Sequence, residues 1–138
     1  MTMIVVVVED DHKIRAALKL VLNGAGYMVI DGSGLEVVSA MVSLRKSSNN
    51  IRISAVVTDF WLDLGITGIH IILCLRKICN SDFRSVVISG DTNQYVIEKV
   101  RSAGLTLLYK PFTLTDILEA VEPAHGLWHA PGGSKLLN

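Results

Sequence analysis

The sequence predicts a doubly wound α/β domain, in which helices cover both faces of a parallel β-sheet. Three observations predict this fold class. Short aliphatic runs alternate with longer segments of helical periodicity from residue 4 to residue 121. The short runs are apolar at consecutive positions, which is typical of parallel strands buried on both faces. Half of the 138 residues are hydrophobic, enough for one domain of ordinary size to bury such a sheet.

The first two strand and helix units are predicted within residues 4–46. Residues 4–8 form an aliphatic run typical of a buried strand. Apolar residues then recur at intervals of three and four, as on one face of a helix, and Gly24 and Gly26 mark the end of that helix. Residues 27–30 predict the second strand. A turn at residues 32–34 leads to a second helix over residues 35–46, which ends at the polar stretch 47–50.

Three further units follow the same alternation. A third strand over residues 53–58 ends directly before Asp59, and a loop containing Gly65 and Gly68 leads to a helix over residues 69–78. Residues 86–89 and 105–109 predict the fourth and fifth strands, each followed by a segment with a helical apolar stripe. Thr113 with Asp116 three residues later has the spacing of a capping box at the start of the last helix.

Five such units predict the order of the sheet. Strands that alternate with helices imply parallel pairing and right-handed crossovers, and five units favour the flavodoxin-like order 2-1-3-4-5 with five helices. The domain is expected to cover residues 1–122. The tail, residues 123–138, contains three glycines and two prolines without an apolar period and is expected to be irregular. His125 and His129 are therefore interpreted as residues of a solvated tail and not as metal ligands.

Composition gives no indication of the function, which must therefore depend on a local site. Thirteen Lys and Arg balance thirteen Asp and Glu, so net charge gives no reason to expect binding to nucleic acid or to an anionic membrane. No apolar run reaches the length of about 18 to 20 residues needed to cross a bilayer, and no signal peptide is evident. Cys74 and Cys79 are badly spaced for a disulfide and too few for a zinc cluster, which favours a cytoplasmic protein with reduced thiols.

Chemically active residue types follow the predicted strands. In an open parallel α/β sheet, ligands bind at the carboxyl ends of the strands, near the point where the strand order reverses. Three acids follow the first strand, and one polar residue stands at the end of each of the third, fourth and fifth strands. They are Glu9, Asp10, Asp11, Asp59, Ser89 and Lys110. Crowded carboxylates repel one another, and a hard cation such as Mg²⁺ neutralises them while keeping positions for phosphate oxygens. The sequence therefore predicts a metal-assisted phosphoryl site at this edge.

Four segments carry a resemblance to a known family. VVVVEDDHKIR, AVVTDFWLDLGITG, VVISGDT and YKPF occur in this order. In order and spacing they resemble the receiver domain of response regulators in two-component signalling. The resemblance covers residues 3 to about 121, nearly the whole chain. It implies a phosphoprotein switch that forms an aspartyl phosphate and catalyses its own phosphotransfer and autodephosphorylation, without belonging to an independent enzyme class.

The resemblance implies a metal site. Asp10 is similar to the direct ligand of the metal, and Glu9 to the neighbouring acid that acts partly through water. Asp59 and the backbone carbonyl of Trp61 would complete the protein ligands. The cofactor implied is Mg²⁺, or Mn²⁺ in its place.

The resemblance also implies the phosphoryl chemistry. Asp59 corresponds to the phosphoacceptor, Ser89 to the hydroxyl that hydrogen-bonds a phosphoryl oxygen, and Lys110 to the cation that pairs with another. The Lys110–Pro111 bond resembles the cis peptide usual in the family. Independently, phosphoryl transfer needs an in-line nucleophile and positive charge against the phosphoryl oxygens, which these residue types supply.

Partners follow from the same resemblance. The phosphoryl donor is expected to be a sensor histidine kinase or a histidine phosphotransfer protein, and the output an unnamed downstream protein. No nucleic acid or membrane partner is expected. The output surface in the family is formed by the fourth helix, fifth strand and fifth helix, and a homodimer through that face is left open. Here the surface is expected to include Tyr95, Val96, Lys99, Leu107 and Tyr109.

Three departures from the family pattern are present. Asp63 stands where Pro is common, and the spacing from Asp59 to Gly68 is one residue longer than usual. This variant, with GDT after the fourth strand, resembles receivers attached to hybrid histidine kinases. Leu107 stands where the family has an aromatic residue that reorients on phosphorylation. Tyr109 lies on the same face of the strand and is an alternative candidate for that role. Because Leu107 cannot reorient as the aromatic residue does, we expect readout chiefly through the loop after Ser89 and the start of the fourth helix.

Other interpretations remain open. A phosphorylation-independent interaction module with the same fold is the main alternative. A hydrolase of the aspartyl-phosphate type is disfavoured because Trp61 occupies the position of its second carboxylate. A dinucleotide-binding domain is disfavoured because acids replace the glycine-rich loop.

Single residues also have structural interpretations. Asp11 is expected to cap the first helix, and His70 to lie on an exposed helical face. Cys74 and Met41 are expected to fill the core. Trp61 is expected to lie in a loop at the mouth of the site, where it would shield the phosphoryl group from water.

Overall fold

The computed structural model describes residues 1–79 and 82–122 and the backbone of residues 136–137. The strands are β1 (Thr2–Val8), β2 (Met28–Gly32), β3 (Ile51–Asp59), β4 (Arg84–Ser89), β5 (Thr106–Tyr109) and β6 (Leu136–Leu137). The helices are α1 (His12–Gly24), α2 (Glu36–Ser47), α3 (Gly68–Cys79), α4 (Gln94–Ser102) and α5 (Leu114–Val121). A 3₁₀ turn at Asp63–Gly65 precedes α3.

The first five strands are parallel and lie in the order 2-1-3-4-5. The predicted fold class and strand order are therefore confirmed. Each crossover contains one helix, as expected when a strand returns to a parallel neighbour.

A sixth strand extends the sheet beyond the five predicted. Residues 136 and 137 pair antiparallel with Leu108 and Leu107 at the edge of β5. This pairing was not predictable, because a two-residue strand is too short to show periodicity, and the edge of β5 offers unpaired backbone groups to any extended segment. The rest of the tail, with His125 and His129, lies outside the described residues, so the predicted domain boundary at residue 122 stays a prediction.

Several strands are longer than their apolar runs. β1, β3 and β4 each begin two residues before the predicted start, because Thr2 and Arg84 join the sheet through their backbones and need no apolar side chain to do so. β2 continues to Gly32 because Asp31 and Gly32 pair with Val7 and Val8. Periodicity detects side-chain burial and underestimates strands that extend past it.

The core lies in two layers, one on each face of the sheet. Alternate residues of β1 point to opposite faces, Val6 to one and Val5 to the other. The first layer contains the buried faces of α2, α3 and α4, and the second contains those of α1 and α5. The aliphatic strands are thus buried on both sides, and their carboxyl ends are held at one edge of the molecule.

Structural expectations for single residues are mostly confirmed. Asp11 caps α1 by accepting hydrogen bonds from the backbone of Lys13 and Ile14, and Thr113 forms the expected capping box with Asp116. Met41 is buried. The expectation for Cys74 was wrong: it is exposed, because α3 buries residues 71, 72, 75 and 79 and turns residue 74 outward. Both cysteines are free.

Among residues 1–79 and 82–122, no helix combines the length and apolar character needed to cross a membrane.

Candidate functional site

The sheet brings the predicted polar residues to one edge. Asp59 and Ser89 are the last residues of β3 and β4, while Glu9 and Lys110 directly follow β1 and β5. Backbone hydrogen bonds continue the sheet past the strand ends: Glu9 N donates to Gly32 O and Lys110 N to Ser89 O, each at 2.9 Å. The positions of these side chains are therefore fixed by sheet pairing.

Three carboxylates form an acidic cluster, which we define as Glu9, Asp10 and Asp59. One oxygen of each lies within 4.8 Å of the others. Glu9 and Asp59 are buried and Asp10 is exposed, so the cluster opens to solvent on one side. Within the described part of the chain, no well-oriented hydrogen bond reaches Glu9 Oε2. A hard divalent cation takes oxygen ligands in such an arrangement, so the residues present fit Mg²⁺ or Mn²⁺.

Glu9 holds a proton more tightly than an ordinary glutamate. Burial disfavours its charged form, and the neighbouring Asp59 carboxylate disfavours it further, so the pKa of Glu9 rises from 4.5 to about 7. The backbone N–H of Asp11, 3.1 Å from Glu9 Oε1, and the Lys110 ammonium partly oppose this rise. Without a metal, the acidic cluster therefore limits its own repulsion by keeping one proton near neutral pH.

Lys110 supplies the cation of the site. Its Nζ lies 2.9 Å from Asp59 Oδ1 and 3.3 Å from Glu9 Oε2. Burial of the ammonium acts to lower its pKa, but its close contacts with the Asp59 and Glu9 carboxylates and their charges outweigh that effect, and the pKa of Lys110 is raised. The Lys110–Pro111 peptide is cis, as the resemblance implies. The lysine is thus charged and in contact with the expected phosphoacceptor.

Ser89 is buried beside the acidic cluster, but its hydroxyl has local partners. Ser89 Oγ donates to Asp91 O at 3.2 Å and accepts from Asp91 N at 3.0 Å. Gly90 is exposed, and a side chain there would meet no atom within 4 Å. The hydroxyl is therefore near the place that the sequence predicted, yet turned toward the following loop.

Gly68 contributes to the site, although its sequence context predicted only a loop residue. A Cβ at this position would overlap the Asp59 carbonyl oxygen and the Thr58 side chain. Gly68 N also donates to Phe60 O at 2.8 Å. A glycine here lets the start of α3 pack directly against the end of β3, which fixes the backbone that carries Asp59. Its position after the strand-end aspartate was the only available sequence indication.

Two aromatic residues lie at the mouth of the site. Trp61 is half exposed, and its ring is stacked on Tyr95 with centroids 6.0 Å apart and planes 9° apart. Trp61 Nε1 donates to Asp91 Oδ2 at 3.2 Å. The predicted place of Trp61 in a loop beside Asp59 is consistent with this geometry. Asp91 was not singled out, because a contact across thirty residues leaves no sequence pattern.

The expected output surface is only partly exposed. Tyr95 and Lys99 are exposed, with Lys99 Nζ 5.5 Å from the centre of the Tyr95 ring. Val96 and Leu107 are buried in the core layer beneath α4, so placing them on the surface was wrong. Both face inward because α4 packs its apolar face on β5. Tyr109 is half buried in the same layer, as its shared face with Leu107 predicts.

His70 lies outside this constellation. Its ring is exposed on α3, and Nδ1 accepts a hydrogen bond from Thr67 N at 3.0 Å. This is the exposed helical position that the sequence predicted, with a local role in the first turn.

Comparison with known proteins agrees with the observed fold. A family model described as response regulator receiver domain matches residues 5–122. Among curated proteins, none matches the sequence significantly.

Several solved structures are similar over most of the chain. One is a response regulator protein from Burkholderia pseudomallei with a phosphorylated aspartic acid, calcium ion and citrate. It is 20% identical, with 91% of this chain and 70% of that chain covered and a TM-score of 0.67. A response regulator from Thermotoga maritima is 25% identical, with 86% and 93% covered and a TM-score of 0.63. The chemotaxis protein CheY4 of Vibrio cholerae is 18% identical, with 86% and 94% covered and a TM-score of 0.64.

Proposed function

The chain belongs to the receiver domain family of response regulators, and from that premise we propose that Asp59 accepts a phosphoryl group in a reaction that depends on a divalent metal ion. One observation carries the proposal: Asp59 ends β3 within the acidic cluster, and the Lys110 ammonium contacts its carboxylate at 2.9 Å. A nucleophile, a cation and oxygen ligands for a metal therefore meet at one point.

The chemistry is an in-line displacement at phosphorus. An oxygen of Asp59 forms the new bond to phosphorus as the bond from phosphorus to the donor nitrogen breaks. Lys110 is already charged, and it can exchange its contact with Asp59 for a phosphoryl oxygen as negative charge develops there. Ser89 would donate to a second phosphoryl oxygen. In autodephosphorylation, water would attack the same phosphorus while the bond from phosphorus to the Asp59 oxygen breaks, which releases inorganic phosphate and restores the carboxylate.

The metal ligands proposed are the acidic cluster and the backbone carbonyl of Trp61. When bound, Mg²⁺ or Mn²⁺ would supply positive charge against the phosphoryl oxygens. Metal binding requires Glu9 to give up its proton, since an ionised carboxylate is the better ligand. The exposure of Asp10 leaves a path for the ion to enter from solvent.

The partners proposed are a histidine kinase or histidine phosphotransfer protein as donor and a downstream protein as receiver of the signal. The exposed glycine after Ser89 leaves room at the mouth for a donor histidine. Homodimerisation through the face of α4, β5 and α5 and a cytoplasmic location complete the proposal.

An interaction module that acts without phosphorylation is the second candidate. Leu107 is fully packed in the core where the family has a mobile aromatic residue, so one common route from the site to the surface is absent from this chain. This candidate predicts the same fold and partner contacts with no phosphoryl uptake.

The test is phosphoryl uptake from a small donor. Purified protein incubated with Mg²⁺ and acetyl phosphate should gain one phosphoryl mass that is stable in acid and labile in base. Asp59→Asn should abolish the gain and leave the circular dichroism spectrum unchanged, because the amide keeps the shape of the side chain but is not a nucleophile. Undiminished uptake by this variant would contradict Asp59 as acceptor, and no uptake by the wild type would favour the interaction module.

A further inference from the structure

The Ser89 hydroxyl is occupied on both sides by a single residue. It donates to the Asp91 carbonyl at 3.2 Å and accepts from the Asp91 N–H at 3.0 Å. A hydroxyl carries one proton and so makes one donor hydrogen bond at a time. Ser89 can therefore donate to a phosphoryl oxygen on Asp59 only after it releases the Asp91 carbonyl.

The side chain of Asp91 accepts two further hydrogen bonds. Its Oδ2 accepts from Trp61 Nε1 at 3.2 Å, and its Oδ1 accepts from Asn93 N at 2.9 Å. Asn93 in turn caps α4 by accepting from Val96 N. Asp91 thus joins the loop after β3 to the start of α4, with the Ser89 hydroxyl attached between them.

Aromatic contacts also join the loop after β3 to the start of α4. The Trp61 ring is stacked on the ring of Tyr95, in the first turn of α4. Both rings form T-shaped pairs with the ring of buried Phe60, with centroids 4.7 Å and 6.4 Å apart. Phe60 directly follows Asp59 and is packed in the core. We define the aromatic clasp as Trp61, Asp91 and Tyr95. It connects the loop that follows Ser89 to the backbone next to Asp59.

We propose that the aromatic clasp holds Ser89 in its unphosphorylated arrangement and so opposes phosphorylation of Asp59. The inference rests on the proposed phosphorylation of that residue. Trp61, Asp91 and Tyr95 act as positioning residues, since they reach the acceptor through Ser89. When Ser89 turns to a phosphoryl oxygen, Asp91 loses its hydroxyl donor, and its hold on the Trp61 indole weakens.

The expected effect of loosening the clasp follows from the two arrangements. A ligand that binds one arrangement has an apparent affinity set by how often that arrangement is populated. Variants that weaken only the unphosphorylated arrangement should therefore bind a phosphoryl mimic more tightly. An aromatic pair or a hydrogen bond of ordinary strength corresponds to about two- to tenfold in affinity.

The experiment is a double-mutant cycle read by calorimetric titration of beryllofluoride with Mg²⁺, an inorganic phosphoryl mimic. Asp91→Asn keeps an oxygen for Asn93 N but replaces the acceptor of the Trp61 N–H, and Trp61→Phe removes that N–H. Each variant should bind beryllofluoride about two- to tenfold more tightly. The double variant should bind no more tightly than the stronger single variant, because both remove one hydrogen bond.

A spectroscopic measurement follows the clasp directly. The chain has two tryptophans, so Trp128→Phe leaves Trp61 as the only one. Beryllofluoride should shift the Trp61 emission to longer wavelength, since the stacked ring becomes more solvated. Gln94→Ala is the matched control: it removes a side chain of the same helical turn whose hydrogen bond goes to Glu98. It should leave both measurements unchanged.

The outcomes separate the two proposals. If the wild type fails to bind beryllofluoride, both the phosphoacceptor function and the clasp are wrong. If the wild type binds but the clasp variants bind equally or more weakly, or if the Trp61 emission does not shift, the clasp is wrong and the phosphoacceptor function stands.

Discussion

At the scale of single residues, Glu9 has the largest effect on how the site responds to pH. The folded protein keeps a proton on Glu9 up to about pH 7, whereas the unfolded chain loses it near 4.5. Between these values the folded state binds more protons, so the free energy of unfolding of the metal-free protein falls as pH rises. We expect a loss of up to about 3 kcal/mol over this window.

Urea denaturation in chelator from pH 4.5 to pH 8 measures this loss. Glu9→Gln should flatten the profile, since an amide does not ionise, while Glu119→Gln, a change at an exposed glutamate, should not. Saturating Mg²⁺ should restore stability above pH 7, where Glu9 is ionised. A wild-type profile as flat as that of Glu9→Gln would show that the folded state does not hold the Glu9 proton more tightly than the unfolded chain.

The second prediction at this scale concerns Gly68. Gly68→Ala should lower the free energy of unfolding by about 1–3 kcal/mol, because the added Cβ overlaps the Asp59 carbonyl and forces α3 away from β3. Urea denaturation measures the change, and Mg²⁺ affinity should fall with it. Gly24→Ala is the control, since a Cβ there meets nothing within 4 Å. Equal stability of the two variants would mean that the close contact is relieved at little cost.

The sequence predicted the members of the site but not their contacts. Glu9, Asp10, Asp59 and Lys110 were expected together because the carboxyl ends of parallel strands meet at one edge. The raised pKa of Glu9 depends on distances between side chains. The hydrogen bonds of the Ser89 hydroxyl to Asp91 depend on the rotamer of Ser89. Neither leaves a trace in residue spacing.

At the scale of elements, the loop between β3 and α3 contains a residue in an unfavourable conformation. Leu64 has φ of 64° and is 95% exposed, so it carries the cost of the left-handed region without burying its side chain. Leu64→Asn should raise the free energy of unfolding by about 0.5–1 kcal/mol, because asparagine tolerates this region better.

Thermal unfolding measures the gain. Leu20→Asn replaces another exposed leucine, 75% exposed within α1, and should lower stability slightly because asparagine is the weaker helix former. If both asparagine variants change stability in the same direction, Leu64 stores no strain.

The helices and strands were predictable to the extent that their side chains are buried. Caps were predicted from spacing alone at Asp11 and Thr113, because a side chain that satisfies the first backbone N–H groups is a local device. Strand ends were predicted less well, since backbone pairing extends β1, β3 and β4 through polar residues.

At the scale of the whole molecule, metal binding should stabilise the fold. A ligand that binds only the folded state raises the free energy of unfolding by about 2.7 kcal/mol at a hundredfold excess over Kd. Asp10→Ala should remove most of this gain by deleting the exposed ligand, and should leave the metal-free protein as stable as the wild type or more so, because it relieves repulsion in the acidic cluster.

Thermal unfolding with and without Mg²⁺ measures both effects. Asp82→Ala makes the same change of charge at an exposed residue before β4, at the opposite edge of the sheet, and should keep the full Mg²⁺ response. An undiminished response in Asp10→Ala would exclude this residue as a ligand.

The order of the sheet was predictable because right-handed crossovers and parallel pairing leave few arrangements for five alternating units. The added edge strand was not, since its two residues are too few to show a pattern and lie far from β5 along the chain. Long-range contacts between short segments are set by the complete fold, whereas the order of buried strands is set by local pattern.

The loop from Asp59 to Gly68 is closed at its base, and this has a consequence for engineering. Trp61 and Thr67 form an antiparallel bridge, and Leu62 N donates to Ile66 O, so the residues between Leu62 and Ile66 form a tip beyond that closure. The tip can therefore be lengthened or shortened while the edge of the sheet that carries the acidic cluster keeps its register. A peptide epitope or a fluorophore could be inserted at the same tip, where it would report on the protein without contacting the acidic cluster.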